Sequence, residues 1–335
     1  MSKRPVGVFA MDPQFVGDLF PASVMERLHR VIQLDPGVVL DAFDTDAARV
    51  ALADAEVLIT GWGCPAVDLD VLAAAPGLRA VIHSAGTVKH HVDPLVFDKG
   101  VAVSSAAAAN AVPVAEYTAA AVIFAAKRAF TRARWFADDR DAELWRPGAG
   151  TGLYGSTVGI VGASRIGRLV LDRLMGFDVQ LLLADPYVTP EEARSLRVEL
   201  VDVDELCRRS DVVSIHAPEL PETYHLIDGR RLALLRDGAA LINTARGSLV
   251  DTEALTEHCA AGRLTAVLDV TDPEPLPTGH ALLSLPNVLV TPHIAGAQGR
   301  ELRRLGEFAA DEVERLVRGE TLLGQVRAEE LGRIA

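Results

Sequence analysis

The sequence predicts an α/β protein built on doubly wound parallel sheets, and three observations point there. Short apolar runs recur along the chain with helix-spaced segments between them, the alternation that makes parallel sheets. A glycine-rich turn, Gly162-Ala163-Ser164-Arg165-Ile166-Gly167, joins one such run to a helix start. The length, 335 residues, is enough for two domains with buried cores.

The first third alternates strands and helices. Residues 6–10 are a short apolar run. Residues 21–34 have helical spacing, with Val24, Leu28 and Ile32 on one side. Residues 57–60 are apolar and run into Gly61-Trp62-Gly63. A short helix over 67–75 and a strand over 78–83 follow. From 104 to 126 alanine dominates, with Val114, Thr118, Ala121 and Phe124 available for one packed face. Pro113 fits the first turn of a helix, where its missing N–H removes no bond. The helix is expected to reach about residue 138, and some 25 residues would span roughly 37 Å. Residues 148–155 are a glycine-rich connector.

A second α/β unit begins at Thr157. Its expected strands cover 158–161, 180–184, 212–216, 239–243, 266–270 and 288–290. Helices are expected around 166–175, 203–210, 229–235 and 252–261. That is a full doubly wound, Rossmann-type set. A last long helix, about 300–318, carries the chain away from it.

The net charge of -13 argues against nucleic acid as a partner, because phosphate binding wants a basic surface. It suits anionic membranes no better. No N-terminal signal peptide is visible, and no uninterrupted apolar run is expected to span a bilayer. Cys64, Cys207 and Cys259 are odd in number and widely spaced, with no CxxC and no zinc spacing. Reduced thiols in a cytoplasmic protein are the expectation. His90 and His91 are adjacent but lack a third ligand, so no metal site is expected. The other histidines, His83 and His225 among them, are expected at the surface or behind the site.

The glycine turn reads as a cofactor site. Gly162 permits a sharp turn, and Gly167 lets the helix approach the strand closely. The helix start at Arg165 and Ile166 faces a pyrophosphate with backbone N–H groups and the dipole. Ser164 stands where a middle glycine is usual, and its hydroxyl can donate a hydrogen bond. Asp185, 18 residues beyond Gly167 at the end of the next apolar run, can accept from ribose hydroxyls and repel a 2′-phosphate. NAD is therefore the expected cofactor. The plainer alternative for Asp185 is a turn residue before Pro186.

Three residues downstream complete a chemistry. Arg246, Glu274 and His293 sit in Asn243-Thr244-Ala245-Arg246-Gly247, Pro273-Glu274-Pro275 and Thr291-Pro292-His293-Ile294. A cation, a carboxylate and an imidazole after a dinucleotide turn are what reduction of a 2-keto acid needs. The arginine holds the substrate carboxylate and polarises the carbonyl. The histidine gives or takes the proton, and the glutamate holds it and favours its charged form. Taken singly, each has a structural reading: a strand-end histidine, a surface glutamate, and an arginine paired with Asp251.

At this point the chain resembles the D-isomer-specific 2-hydroxyacid dehydrogenases. The resemblance rests on the cofactor turn, on Val213-Ser214-Ile215-His216-Ala217-Pro218 through Pro221-Glu222-Thr223, on residues 241–251, on Leu268-Asp269-Val270 through Glu274-Pro275, and on residues 285–296, ending at Gly296. Residues 111–117 look like the family's interdomain helix. The resemblance implies two Rossmann-like domains. A discontinuous, flavodoxin-like substrate domain would comprise 1–107 and 297–335, with an NAD-binding domain of 108–296 inserted and the active site in the cleft between them. It assigns Arg246 to the substrate, Glu274 as the carboxylate partner and His293 as the acid/base and a cofactor contact. Asp269 would hold the nicotinamide carboxamide. Thr244 and Ala245 would approach the ring by backbone, with Pro218, Thr223 and Gly296 along the cofactor groove. Ser84, Ala85 and Gly86 match the segment whose backbone takes the substrate carboxylate.

The loop departs from the family pattern at Val88 and at Lys89-His90-His91, which bears on substrate choice. A phosphite-oxidising branch carries a lysine where this chain has Ala85, and a formate-oxidising branch replaces the glutamate that is Glu274 here. The expected function is reduction of a small 2-keto acid such as glyoxylate or hydroxypyruvate, by a homodimer whose contact includes Trp145. The alternative is an NAD-sensing regulatory protein that keeps the fold. Trp62 is read as pocket lining or packing.

Overall fold

The computed structural model describes residues 3–89, 91–138 and 151–331. Trp145 lies outside the described residues. The strands, in chain order, are β1 (Val6–Ala10), β2 (Gln33–Leu40), β3 (Val57–Thr60), β4 (Ala80–His83), β5 (Ala102–Ser105), β6 (Thr157–Val161), β7 (Gln180–Ala184), β8 (Glu199–Leu200), β9 (Val212–Ile215), β10 (Ala240–Asn243), β11 (Thr265–Leu268), β12 (Val288–Val290) and β13 (Gln325–Val326). They build two compact units. One takes residues up to Ala111 together with those from Ala297 onward, and the other takes Val112–Gly296.

The first unit holds a six-stranded sheet in the order β13-β5-β4-β3-β1-β2. Five strands are parallel, and β13 returns antiparallel to β5. Without that return strand the order is the flavodoxin-like one. Side chains alternate between the two covered faces. Phe9, Ile59 and Ile82 pack with Leu28 and Leu305 on one side; Val8, Leu58 and Val81 pack with Leu52 and Val71 on the other. Burying each such aliphatic side chain contributes about 1.5–3 kcal/mol. The expected helix over 21–34 is shorter, Ala22–Val31, and Leu34 belongs to β2 instead. β2 is an exposed edge strand interrupted by Asp35-Pro36-Gly37, the place where a sheet tolerates proline.

The second unit holds a seven-stranded, all-parallel sheet in the order β12-β11-β10-β9-β6-β7-β8. The strand order reverses between β6 and β9, so their carboxyl ends make the crevice where such sheets bind ligands. Val161, Leu182, Val213 and Leu241 face one core layer; Ile160, Leu183, Val212 and Ile242 face the other. Burial on both faces explains why these strands read as continuous apolar runs.

The alanine-rich helix differs from expectation in two ways. It starts at Ala107, so Pro113 lies inside it rather than in its first turn. It ends at Ala126, and a second helix, Ala129–Asp138, follows a break at which Arg128 has φ 51°. By length and composition Ala107–Ala126 is apolar enough to cross a bilayer, against the expectation that no run is. Its alanines raise the hydropathy. In the fold Ala115, Ala121, Val122 and Ala125 pack into the core of the second unit.

Candidate active site

The cofactor turn forms at the carboxyl end of β6. Gly162 has φ 97°, in the left-handed region that glycine adopts without strain. A Cβ there would lie 2.6 Å from the Ala217 nitrogen. Gly167 is as tightly placed, since a Cβ would meet the Gly162 carbonyl at 2.1 Å. The helix Arg165–Leu174 is capped by Ser164, whose hydroxyl oxygen accepts from the Gly167 N–H at 3.3 Å. The hydroxyl hydrogen stays free to donate. Among the described residues, the backbone N–H groups of Ser164, Arg165 and Ile166 have no protein acceptor, the pattern at a helix start that holds an anion. A cradle that a Cβ would fill, lined by free N–H groups, fits a dinucleotide pyrophosphate.

Asp185 does more than the sequence suggests. Its carboxylate accepts from the Ala163 N–H at 2.7 Å and from the Tyr187 N–H at 2.8 Å. The acid therefore braces the glycine turn, and the turn-residue reading before Pro186 holds alongside any ribose contact. His216 follows β9 and packs beneath the turn, its Cβ 3.3 Å from where a Gly167 Cβ would be. Burial pushes its imidazole down to about 3, so it is neutral. One ring nitrogen meets the Ser214 hydroxyl at 2.8 Å, and Nδ1 has no partner.

Three loops at the carboxyl ends of β10, β11 and β12 carry the remaining chemistry. Buried Asn243 ends β10 and ties its loop in both directions. Its side-chain oxygen accepts from the Ala245 N–H at 3.0 Å, and its Nδ2 donates to the Arg246 carbonyl at 2.8 Å. The Arg246 guanidinium donates to the Ala245 carbonyl at 2.6 Å. Asp251 instead caps the helix Thr252–Ala260, so the structural pairing with Arg246 is not made. Gly247 lies against the next loop, where a Cβ would be 2.0 Å from the Thr271 carbonyl. The arginine's loop and the segment leading to Glu274 thus lock together backbone to backbone.

Glu274 meets His293 directly, Oε1 to Nδ1 at 2.7 Å. The two side chains are 42% and 51% exposed, so a ligand can reach them. A carboxylate at Nδ1 fixes the proton there and leaves Nε2 facing away from it for chemistry. His293 itself is left-handed, φ 54°, uncommon for a residue with a Cβ. Its N–H donates to the carbonyls of Asp269 and Thr291 at 2.9 and 3.0 Å.

The matches with known proteins agree with this geometry. Residues 120–295 match the family described as D-isomer specific 2-hydroxyacid dehydrogenase, NAD binding domain. A glyoxylate reductase of Thermofilum pendens is 37% identical over 76% of this chain and 76% of its own. The chain belongs to the D-isomer-specific 2-hydroxyacid dehydrogenase family. A D-3-phosphoglycerate dehydrogenase of Mycobacterium tuberculosis is also 37% identical, over 84% of this chain and 53% of that protein. The chain spans about half the length of the phosphoglycerate dehydrogenases it matches. A crystal structure of a Thermus thermophilus protein superposes with TM-score 0.75 at 32% identity, covering 96% of this chain and 99% of that one. The second unit is therefore the family's NAD-binding domain, with its glycine turn, Asp185 and the three loops.

Other residues that the resemblance singles out take part in local hydrogen bonding. Thr118 donates its one hydroxyl hydrogen to the Val114 carbonyl, so Thr244 donates to Thr118 at 2.9 Å. Ala245 is buried, its N–H held by Asn243 and its carbonyl by Arg246. Thr223 closes its loop onto the Pro218 carbonyl at 2.7 Å. Asp269 is 2% exposed, and its carboxylate accepts from Thr291, Ile294 and Ala295. These bonds shape the His293 loop. Gly296 follows that loop and ends the unit.

In the first unit, Ser84 follows β4 and its hydroxyl donates to the Thr60 carbonyl at 2.7 Å. Ala85 is buried, and the Gly86 carbonyl accepts from Ser105. Among the described residues the N–H groups of Ala85, Gly86 and Thr87 have no protein acceptor, which leaves them available to an anion. His83 is buried, not at the surface. It meets Thr60 at 2.9 Å and His91 at 3.1 Å, and burial, then His91, hold it well below the usual imidazole range. His225 is half-buried, stacked on Tyr224 at 4.0 Å. Trp62 packs on Phe15, ring centroids 5.4 Å apart. Burial pushes the Cys64 and Cys259 thiols up to about 12 and Cys207 to about 11, which removes them as nucleophiles. Sequence reasoning missed the bracing residues Asn243, Tyr117 and Thr291. For Asn243 and Thr291 the one signal is a polar residue at the end of an apolar run; Tyr117, inside a helix, carries none.

Proposed function

We propose that the protein interconverts small 2-keto acids and D-2-hydroxy acids with NAD(H), acids of glyoxylate or hydroxypyruvate size first. The single observation that carries this reading is the 2.7 Å Glu274–His293 pair, in the same unit as Arg246 and the glycine turn. Bound NADH would supply the hydride. The chain's own residues do the rest. Arg246 pairs with the substrate carboxylate as a planar fork and draws charge from the keto oxygen. Nε2 of His293 delivers a proton to that oxygen, and Glu274 holds Nδ1–H and balances the imidazolium. One arginine matches one carboxylate, so the reading favours acids without a second anionic group. The names of the Thermofilum and mycobacterial relatives differ on this point, which makes the substrate panel informative.

The test is NADH oxidation with glyoxylate, hydroxypyruvate, pyruvate and bulkier keto acids. Turnover with a small acid supports the proposal. Tight NADH binding with no turnover on any acid would favour the regulatory alternative. The same reading has the protein acting as a cytoplasmic homodimer, and sedimentation at micromolar concentration should then give about twice the 35.7 kDa chain mass. A fully active monomer would contradict it.

Cofactor choice gives a sharper expectation. A 2′-phosphate would face the Asp185 carboxylate, so NADH should exceed NADPH in kcat/KM by roughly tenfold or more. Because Asp185 also braces the turn, Asp185→Ser should weaken binding of both cofactors rather than exchange them. Equal use of both cofactors by the wild type would remove Asp185 from the discriminating role.

A further inference from the structure

The loop that presents His293 is held from behind by a hydrogen-bonded series with a fixed direction. Thr291 has one hydroxyl hydrogen, and it goes to Asp269 Oδ1 at 2.6 Å. The Tyr117 phenol, 2.8 Å from the same hydroxyl oxygen, must therefore be a donor. Burial, the largest influence, raises the phenol above its ordinary range, so it keeps the proton it donates. Asp269, 2% exposed, accepts two further bonds from the backbone of Ile294 and Ala295, both at 2.8 Å. Its own carbonyl accepts from the His293 N–H at 2.9 Å. The residues on either side of His293 are thus tied to one buried carboxylate, and His293 between them is held at φ 54°. Tyr117 belongs to the helix Ala107–Ala126, far from these loops in sequence.

We propose that Tyr117, Thr291 and Asp269 are positioning residues for the acid/base pair: the phenol fixes the hydroxyl, the hydroxyl fixes the carboxylate, and the carboxylate fixes the turn that presents His293 to Glu274. The proposal rests on the reading of His293 as acid/base. It assigns work to Tyr117 and Thr291, which touch neither substrate nor cofactor in that reading. Charge-assisted bonds inside a buried site have strict geometry. A catalytic group displaced by 1 Å can lose about 100-fold in rate.

Three variants test it: Thr291→Val, Thr291→Ser and Tyr117→Phe. The first readout needs neither cofactor nor turnover. The Nδ1 proton of His293, held by a carboxylate at 2.7 Å, should give a low-field proton resonance, assigned by its loss in His293→Gln. Thr291→Val should broaden it away, and Thr291→Ser, which keeps the hydroxyl, should restore it. The second readout is the split of kinetic constants. Thr291→Val should lower kcat for reduction about tenfold while the NADH dissociation constant changes by less than about threefold, with Thr291→Ser close to wild type. Tyr117→Phe removes only the outer member, and about a threefold loss in kcat is expected. If Thr291→Val does not fold, Tyr117→Phe carries the test. An unaltered resonance and kcat in Thr291→Val, or in Tyr117→Phe where the former does not fold, would overturn the proposal. So would equal impairment of Thr291→Val and Thr291→Ser. A wild type that reduces no keto acid refutes the functional reading and leaves the resonance test intact, so the two failures are told apart.

Discussion

Replacing His293 with alanine should lower kcat for keto-acid reduction by about 10²–10⁴-fold, the usual scale for loss of a general acid. In the proposed reading cofactor affinity should hardly change, because the turn at Gly162–Gly167 would hold the pyrophosphate, and the His293 backbone, not its ring, bonds the loop. The left-handed φ of 54° makes the substitution mildly unfavourable in stability as well. Thermal unfolding of the variant therefore belongs beside its kinetics. A loss of rate with Tm shifted by only a few degrees assigns the effect to the imidazole. Wild-type kcat in His293→Ala would show that the proton comes from elsewhere.

Arg246→Ala should damage both constants, raising KM for the keto acid and lowering kcat, for a combined loss in kcat/KM of about 10³-fold or more. Two effects combine there. Loss of the carboxylate clamp removes binding shared by ground and transition states. Loss of the cation beside the developing oxyanion removes stabilisation that exists only in the transition state, typically about 10²–10³-fold for one donor. Arg246→Lys separates them. It keeps the charge but loses the planar fork, so it should recover part of kcat and little of KM. The loop should survive both changes, because Asn243 braces it through backbone groups, without the guanidinium. If Arg246→Ala altered only NADH binding, the guanidinium would be a cofactor ligand and not a substrate one.

Most buried strands are legible in the sequence, but Ala102–Ser105 is not, because its alanine and serines carry no apolar run and merge into the alanine-rich stretch that follows. Val57–Thr60 and Gln180–Ala184 are continuous apolar runs bounded by turn residues, and the structure keeps them. The edge strand β2 is not legible, although the edge strand Val288–Val290 is. Gln33–Leu40 contains Asp35-Pro36-Gly37, and its exposed side chains carry no alternation. Pro113 misleads for a related reason. A proline prefers the first turn of a helix but is tolerated further in, and here packing of Ala115, Val122 and Ala125 overrides the local preference. In the site, glycines and charged residues are legible because their types are chemically selective. The pairing of Glu274 with His293 follows from residue types and the family pattern. The double role of Asp185, the three bonds of Asp269 and the reach of Tyr117 to Thr291 do not. Each is a contact between segments whose registers are set by the whole sheet, and hydroxyl and carboxylate residues in a loop look alike until those registers are known.

The central claim is that His293, held by Glu274, exchanges the proton with the substrate oxygen. The most direct measurement is kcat/KM against pH in both directions, with the keto acid and with its D-hydroxy acid. Reduction consumes the protonated imidazole and oxidation needs the neutral one. Reduction should therefore fall and oxidation rise as pH increases, and both dependences should flatten in His293→Ala. Profiles that run the same way in both directions, or that persist unchanged in His293→Ala, would contradict the assignment.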